Sequence, residues 1–537
     1  MPKGIISEPI KKLLANYGEP NQLDNVSDDT PKIRVSATVS TLAFLYEKIR
    51  NAVDIKEDHL LRKNAIRRFL ARRLVARATG SQIAKPLIQE MIRARYLSNN
   101  KIPESAALDL AETVDKYIYL MNVVADNNSS GVIQEGLFDW AIDLASCEIE
   151  EQLSSNEKKE ALAQSMYEVI HDDITFQGEE ITDEERDIQV FIAIHRAVAK
   201  SDDAMIAYRV FRLYYPNWHS PTKEQVDEVG LYMETIKGTI DVQVFHPVSM
   251  RLQRRLKKST VLFHTLRDLI EANPDEAEVI LANPDRLAIE VEKAANRKYK
   301  AAKSKLTGSI IRAIFYILLT KSILAFLIEL PYDLYVVGEV SYRALVTNIV
   351  FHPFFLAVAG LLIKAPGKNN TQKIVEGVKG IVYEAKEIGL SSEIKRPKVV
   401  HSTTAKIFFG LFYFVMFLLS FGILVSALTW LEFNMAGIFF FLFFLTIVSY
   451  FAVRVRRNIR ELNVMERRDS IFSVIIDFFA IPILSVGHWI SVKFSKINIF
   501  VFLMDFIIEA PFKVLIEIVE EWIGFVREKK DEIQEDL

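Results

Sequence analysis

The sequence is nearly devoid of cysteine, because Cys147 is the only one among 537 residues. An intramolecular disulfide is therefore impossible, and nothing in the chain requires an oxidising compartment. The common catalytic patterns are also missing: the nucleophile elbow, the phosphate-binding glycine loops, H-E-x-x-H and C-x-x-C. His171 stands beside Asp172 and Asp173 but lacks the helix-spaced partners of a metal site. We therefore expect no enzymatic activity, no metal and no cofactor.

The first 18 residues contain neither a long apolar run nor a small-residue cleavage site. This start predicts that the chain has no secretory signal peptide. We expect the first membrane segment, which follows about 300 residues later, to direct insertion itself.

Charge is nearly absent from the stretch 407–453, which contains no Lys, Arg or Asp and only one acid, Glu432. Its two apolar runs, 407–430 and 436–453, are close to the roughly 20 residues that cross a bilayer. A helix that is apolar on all sides must be buried in protein or in lipid. The stretch therefore predicts a transmembrane hairpin.

Two more apolar runs, 308–330 and 345–363, bring the predicted transmembrane helices to four. We predict an all-α protein, in which a cytoplasmic multi-helix domain precedes a polytopic α-helical membrane region with amphipathic C-terminal helices. The predicted parts are a cytoplasmic helical region of one or two domains (1–306), a membrane region (307–453) with a cytoplasmic loop at 364–406, a basic connector with two amphipathic helices (454–527) and a charged cytoplasmic tail (528–537).

The basic residues that flank the apolar runs alternate between many and few. There are six in 293–305, one in 331–344, nine in 364–406, none in 431–435 and six in 454–469. Flanks rich in Lys and Arg stay in the cytoplasm. We therefore predict that the helical domain, the 364–406 connection and both termini are cytoplasmic.

Two later apolar stretches, 470–493 and 505–527, each collect polar residues on one helical face. Such a pattern is typical of helices that lie in the plane of the membrane interface. We favour four transmembrane helices and two interfacial ones, and six transmembrane helices is the alternative.

The stretch 60–78 interleaves arginines with apolar residues and predicts a basic amphipathic helix. One interpretation is a surface that binds anionic lipid or a partner; the other is a domain helix whose arginines are solvated or paired with acids. The lipid surface is favoured over nucleic acid, because the chain is already held at the membrane. With a second group after the fourth span, the candidate binding residues are Arg67, Arg68, Arg72, Arg73, Arg454, Arg456 and Arg457.

Two local patterns predict secondary structure. Ala-Asn-Pro-Asp occurs at 272–275 and at 282–285, where each Asn suits an N-cap and each Pro the first helical position. Helices are therefore predicted at 274–281 and 284–306. Alternating β-branched residues in 238–248 predict a short extended segment.

Ionisable residues lie within or near the apolar segments, where such residues usually have a function. The candidates for an intramembrane polar site are Lys321, Asp477, Asp505 and Glu509. Lys321 lies in the middle of the first span, where it could line a pathway, pair with an acid on a neighbouring helix, or belong to a segment that dips into the bilayer and out again. These charges support a channel or transporter as the alternative function.

The first hypothesis is an integral membrane scaffold or adaptor, which holds the helical domain at the membrane for partner or lipid binding. It rests on the long charged region without catalytic patterns and on third and fourth spans that offer no polar path. The expected partners are the bilayer, anionic lipid headgroups and a protein partner or a second copy of the chain. The expected location is a bacterial-type plasma membrane.

Overall fold

The computed structural model contains a helical domain followed by membrane-embedded helices, so the predicted all-α class is confirmed. The only strands in the described part of the chain have four residues each. The structure describes residues 5–18, 30–36, 40–41, 43–44, 47–48, 57–75, 78–128, 133–154, 157–177, 181–383, 392–395, 403–464 and 471–496, and isolated positions after 517.

The domain is built from amphipathic helices, and capping boxes begin three of them, with Thr79, Thr182 and Thr222 as the N-cap residues. The elements are α1 (Glu8–Gly18), α2 (Asp58–Val75), α3 (Gly80–Arg93), α4 (Ala106–Asn127), α5 (Glu135–Leu153), α6 (Glu157–Ile170), β1 (Ile174–Gln177), α7 (Asp183–Ile194), α8 (Asp203–Tyr214), α9 (Lys223–Leu231), α10 (Met233–Val244), α11 (Pro247–Ala272) and α12 (Ala277–Leu281), with a 3-10 turn at His171–Asp173 and a π turn at His195–Ala199.

The first hydrophobic core lies between α2–α5 and α8–α10. Its centre is aromatic and its polar atoms are bonded: Trp218 Nε1 donates to Tyr117 OH at 3.0 Å, and Tyr117 OH donates to Glu148 Oε2 at 2.8 Å. The extended segment predicted at 238–248 is wrong, because α10 covers most of it. Ile240 and Val244 are four residues apart and buried, so helical packing overrides the β-branched composition.

The second core contains a helix from between the first two spans. This helix, α15 (Lys368–Tyr383), buries Ile374, Val378 and Val382 against α1, α6, α7 and α11. Strand β2 (Ser392–Lys395) also pairs with β1 in parallel. The predicted 364–406 loop thus contains structure that completes the helical domain. Residues before the first span and after the second therefore lie on the same side of those spans.

Four helices in the described part are long and apolar enough to cross a membrane. Only 11–28% of the residues in their most apolar windows are buried in the protein, so lipid must cover the rest. Their elements are α13 (Pro284–Leu324) with its extension to Val337, α14 (Tyr342–Leu361), α16 (Thr403–Trp430) and α17 (Met435–Arg460).

Helix α13 and its extension run through both halves of the molecule without a break. Asn283 caps its start as predicted, because Asn283 Oδ1 accepts hydrogen bonds from two backbone N–H groups. The equivalent prediction for Asn273 is wrong, since α12 begins only at Ala277. The helix continues through two π turns to Val337, a total of 54 residues. At 1.5 Å per residue this is about 80 Å, long enough to cross the bilayer and enter the domain core.

Helix α18 (Ile471–Lys496) packs against α16 and α17. Gly487 allows the approach, because a Cβ there would lie 2.1 Å from the main-chain oxygen of Thr446. The interfacial and transmembrane alternatives for this helix both stay predictions. The second amphipathic stretch, 505–527, and the tail, 528–537, lie outside the described residues apart from isolated helical positions.

Candidate functional site

The first membrane helix has three buried ionisable side chains on one face. Lys321, Glu329 and Asp333 are 1%, 4% and 4% exposed. In an uninterrupted α-helix, Glu329 and Asp333 would be rotated from Lys321 by about 80° and 120°. The π turn at Ala325–Glu329 adds about one residue to a turn, which brings both acids to within roughly 20° of the lysine. The π turn therefore aligns three side chains that α-helical spacing would separate.

Asn348 of α14 connects the first two of these side chains. Lys321 Nζ donates a hydrogen bond to Asn348 Oδ1, and Asn348 Nδ2 donates to Glu329 Oε1 at 2.5 Å. A carboxamide suits this position, because it presents an acceptor to the amine and a donor to the carboxylate. The result is a pair of side chains of opposite formal charge, bridged by one amide.

His352 follows Asn348 by one helical turn and connects α14 to α17. Its Nε2 lies 3.0 Å from Phe441 O, and its Nδ1 lies 3.2 Å from Asn348 O. Both oxygens are acceptors, and a neutral imidazole has a single N–H. Only a protonated ring would donate to both.

The four buried side chains Lys321, Glu329, Asn348 and His352 are here called the intramembrane cluster. None is more than 4% exposed. Their hydrogen bonds join α13, its π-helical extension and α14, and the contact of His352 with the main-chain oxygen of Phe441 adds α17. A bonded polar network of this kind favours one packing arrangement over its alternatives.

A separate contact attaches the turn before α17 to the end of the first membrane helix. Asn434 Nδ2 donates to Asp333 Oδ1. Asn434 Oδ1 accepts from Gly437 N at 2.7 Å and so caps α17. The 407–453 hairpin is therefore held to the first membrane helix at its turn as well as through His352.

A second constellation lies at the domain-facing ends of the membrane helices. Asn370 Nδ2 on α15 donates to Tyr299 OH of α13 at 2.8 Å and to Leu462 O, just after α17, at 2.9 Å. Asn370 Oδ1 accepts from Val464 N at 2.8 Å. We call these four residues the interfacial clamp. It joins a helix of the second core to both the first and the fourth membrane helices.

The candidate arginines of the first group lie on α2 of the helical domain, where Arg67 and Arg68 are half-buried and Arg72 and Arg73 are exposed. They contact acids or an aromatic ring of the same domain, as expected for a domain helix whose arginines are paired with acids. Lipid or partner binding by these residues stays a prediction. The contacts are Arg67 with Asp143 at 2.6 Å and Asp139 at 2.8 Å, Arg68 with Glu47 at 3.2 Å, Arg72 with Glu90 at 3.4 Å and Arg73 with the Phe69 ring centroid at 5.5 Å.

The second arginine group lies at the end of α17, next to the interfacial clamp. Arg454, Arg456 and Arg457 are all exposed. Arg457 Nε lies 2.9 Å from Glu461 Oε1. Their position at the end of a membrane helix suits contact with headgroups, and that contact also stays a prediction.

Lys321 alone among the four predicted intramembrane residues belongs to the polar cluster in the described part of the chain. Asp477 is exposed on α18. Asp505 and Glu509 lie outside the described residues.

Sequence reasoning missed most partners of Lys321. It considered an acid on a neighbouring helix, whereas Glu329 belongs to the same helical segment and is reached through Asn348. The available signal was Asn348, an uncharged amide within an apolar run, with His352 four residues later on the same helical face.

Two histidines of the helical domain, His59 and the half-buried His264, have lowered pKa values. Burial, together with the cations Arg267 and Lys298, lowers the pKa of His264 to about 3. Burial, together with Lys159, lowers the pKa of His59 to about 4. Both imidazoles are therefore neutral in the folded protein at neutral pH.

The fold and these sites define an integral, all-α membrane protein whose helical domain is joined to its membrane helices by one continuous helix and one side-chain clamp. No family model, curated protein or solved structure matches this chain.

Proposed function

We propose that the protein is a membrane-anchored scaffold, whose membrane helices hold the helical domain in a fixed position at the bilayer surface so that it can bind a partner. The observation that carries this proposal is the continuous helix from Pro284 to Val337. Leu287 and Val291 pack in the second domain core, and Ile310 and Ile317 pack among the membrane helices. A flexible linker would suffice for location alone, whereas a helix also sets orientation.

The interfacial clamp supports the same proposal. Asn370 bonds to α13 and to the end of α17, so two membrane helices hold the domain. Fixing orientation before binding reduces the entropy that a partner complex must lose.

The test is to make the continuous helix flexible without detaching the domain. A Gly-Gly-Ser-Gly insertion after Lys305, combined with Asn370→Ala, should leave the protein in the membrane but reduce recruitment of its partners. Recruitment is measured by proximity labelling from a ligase fused to the N-terminus. The control is the same insertion after Gly338, in the turn between the first two spans. An unchanged set of labelled proteins in the first variant would refute the scaffold proposal.

We also propose that the domain and both termini face the cytoplasm of a bacterial-type plasma membrane. The Lys and Arg residues in 293–305, 364–406 and 454–469 support this sidedness. Cys147 is 1% exposed, so single cysteines introduced at Asn100 and Glu339 can be labelled selectively. An impermeant maleimide applied outside intact cells should label position 339 and leave position 100 unlabelled. The opposite pattern would reverse the assigned orientation.

The intramembrane cluster supports a channel or transporter as the second candidate function. Buried amine and carboxylate groups beside a π turn are typical of functional membrane sites. The variant Lys321→Leu/Asn348→Leu/Glu329→Leu distinguishes the two candidates, because it removes the polar groups while retaining apolar volume. A scaffold should retain partner recruitment in this variant. A transporter should lose flux in reconstituted vesicles.

A further inference from the structure

One face of α13 forms an open depression at the boundary between the helical domain and the first apolar segment. Its volume is about 480 Å³. It is lined by Lys300, Lys303, Ser304, Thr307 and Gly308. These positions follow each other at three- and four-residue spacing, so they share one face of the helix.

The chemistry of this face is cationic and hydrogen-bond donating. In the part of the chain that the structure describes, Lys300 and Lys303 are exposed and form no ion pair. Two other lysines of the same helix do pair: Lys293 Nζ lies 2.7 Å from Glu290, and Lys298 Nζ lies 3.0 Å from Asp268. The lysines of the depression are thus available to an anion from outside the chain.

Arg312 adds a third cation from the membrane side. A Cβ at Gly308 would lie 3.4 Å from Arg312 Nη1, so the guanidinium extends back over that glycine toward the depression. Arg312 Nη2 also donates to Ser309 Oγ at 3.4 Å. A long basic side chain near the end of a membrane helix turns toward the headgroups in this way.

The apolar surface next to the depression continues along the same side of the helix. Ile311 and Phe315 are 50% and 68% exposed. At 100° per residue, both lie within about 20° of Ser304 around the axis and within about 60° of Gly308. A molecule with an anionic head and an apolar tail would contact both parts of this surface.

We propose that this depression binds the phosphate group of an anionic membrane lipid, with the acyl chains along Ile311 and Phe315. Ammonium, guanidinium and hydroxyl groups are the donors that phosphate oxygens accept from. The site depends only on the first span being in the membrane and is independent of the scaffold proposal.

The experiment measures lipid binding to the full chain by native mass spectrometry, with short-chain phosphatidic acid, phosphatidylglycerol and phosphatidylcholine. Lys303→Gln should weaken binding of both anionic lipids about fivefold, because one basic residue at the surface contributes about 1 kcal/mol. The control is Lys305→Gln, which removes the same charge at nearly the same depth but on the other side of the helix. We expect the control variant to bind as the wild type does.

Three outcomes would overturn the assignment. Equal weakening by Lys303→Gln and Lys305→Gln would indicate nonspecific attraction of anionic lipid to all basic residues at this depth, without a defined site. Equal binding of the anionic lipids and phosphatidylcholine would indicate that charge is not recognised. Binding of inorganic phosphate that Lys303→Gln abolishes, with lipid binding unaffected by Phe315→Ala, would assign the site to free phosphate. Unchanged tryptophan fluorescence confirms that each variant is folded.

Discussion

Replacing Lys321 alone by leucine should destabilise the membrane helices more than replacing Lys321 and Glu329 together. The single change leaves the Glu329 carboxyl group 4% exposed, with Asn348 as its hydrogen-bond donor. The reciprocal change, Glu329→Leu, leaves the Lys321 amine buried at 1% exposure beside the same amide. The double replacement removes both ionisable groups and fills their volume with apolar atoms.

The magnitude follows from the cost of isolating a buried charge. In soluble proteins, loss of one partner from a buried pair costs about 3–5 kcal/mol, whereas apolar replacement of the whole pair is often neutral. Hydrogen bonds between membrane helices contribute less, on average about 0.6 kcal/mol, since the remaining group finds other partners. We therefore expect each single change to cost about 2 kcal/mol and the double change less than about 1 kcal/mol. The coupling energy is then about 3 kcal/mol.

The assay is reversible unfolding in mixed micelles, followed by circular dichroism as the denaturing detergent is titrated. The control is Arg312→Leu, which removes an exposed charge from the same helix outside the cluster. It should shift the midpoint by less than either single change in the cluster. If the two single effects simply add in the double variant, Lys321 and Glu329 do not act as a pair, and the bridge through Asn348 is not what stabilises the helices.

Three further predictions test other parts of the structure. Asn370→Ala removes three hydrogen bonds of the interfacial clamp and should cost about 2–3 kcal/mol. Hydrogen exchange of the residues after α17 should rise in this variant and not in the exposed neighbour variant Asn369→Ala, and equal protection in both would contradict the clamp. The folded-state pKa of His264, about 3, lies below its ordinary 6.5, so its stabilising effect is present above pH 6.5 and is lost as the pH falls toward 3. Between pH 6.5 and 5 the wild type should lose about 1–2 kcal/mol more than His264→Gln in thermal unfolding, and identical pH profiles would refute this. Gly487→Ala should separate α18 from α17 and so weaken disulfide crosslinking between cysteines placed on these two helices. The control Gly410→Ala, at a glycine with open space around it, should leave the crosslinking unchanged. Equal crosslinking in the two variants would argue against close packing of α17 and α18.

The membrane helices were predictable because their signal is local. The run 407–430 is apolar enough by itself to require lipid, and the structure has α16 at Thr403–Trp430. The predicted first span, 308–330, lies within the longer helix that ends at Val337. Hydropathy detects only the part of this helix that is apolar on all sides. It does not show that the helix begins inside the domain, because the backbone stays helical where the surroundings change from protein core to lipid.

The role of α15 was not predictable in the same way. Ile374 and Val378 are spaced for a helix face, but the residues that cover them include Ile10 and Met166, far away in the sequence. Local spacing predicts that a face is buried and does not identify its partner. The sequence therefore predicts only a connection at 364–406.

The intramembrane cluster was missed for a geometric reason. Regular α-helical spacing rotates Glu329 away from Lys321, and only the π turn at Ala325–Glu329 returns it. The π turn has no composition signal of its own. Asn348 could have been noticed as an uncharged amide within an apolar run, since such residues in membrane helices commonly bond to a neighbouring helix.

The position of α15 also sets the order of events during synthesis. Its residues Ile374 and Val378 belong to the second domain core, yet the ribosome makes them only after both the first and the second spans. Roughly 80 residues separate the end of the preceding domain segment from the end of α15. Translation at about 5–20 residues per second takes about 4–16 s to make them. During that interval α1, α6 and α11 expose apolar surface to chaperones and proteases. The second core can therefore be completed only after the first two spans have been inserted. Chains that fail to insert them keep the apolar surface of that core exposed to chaperones and proteases.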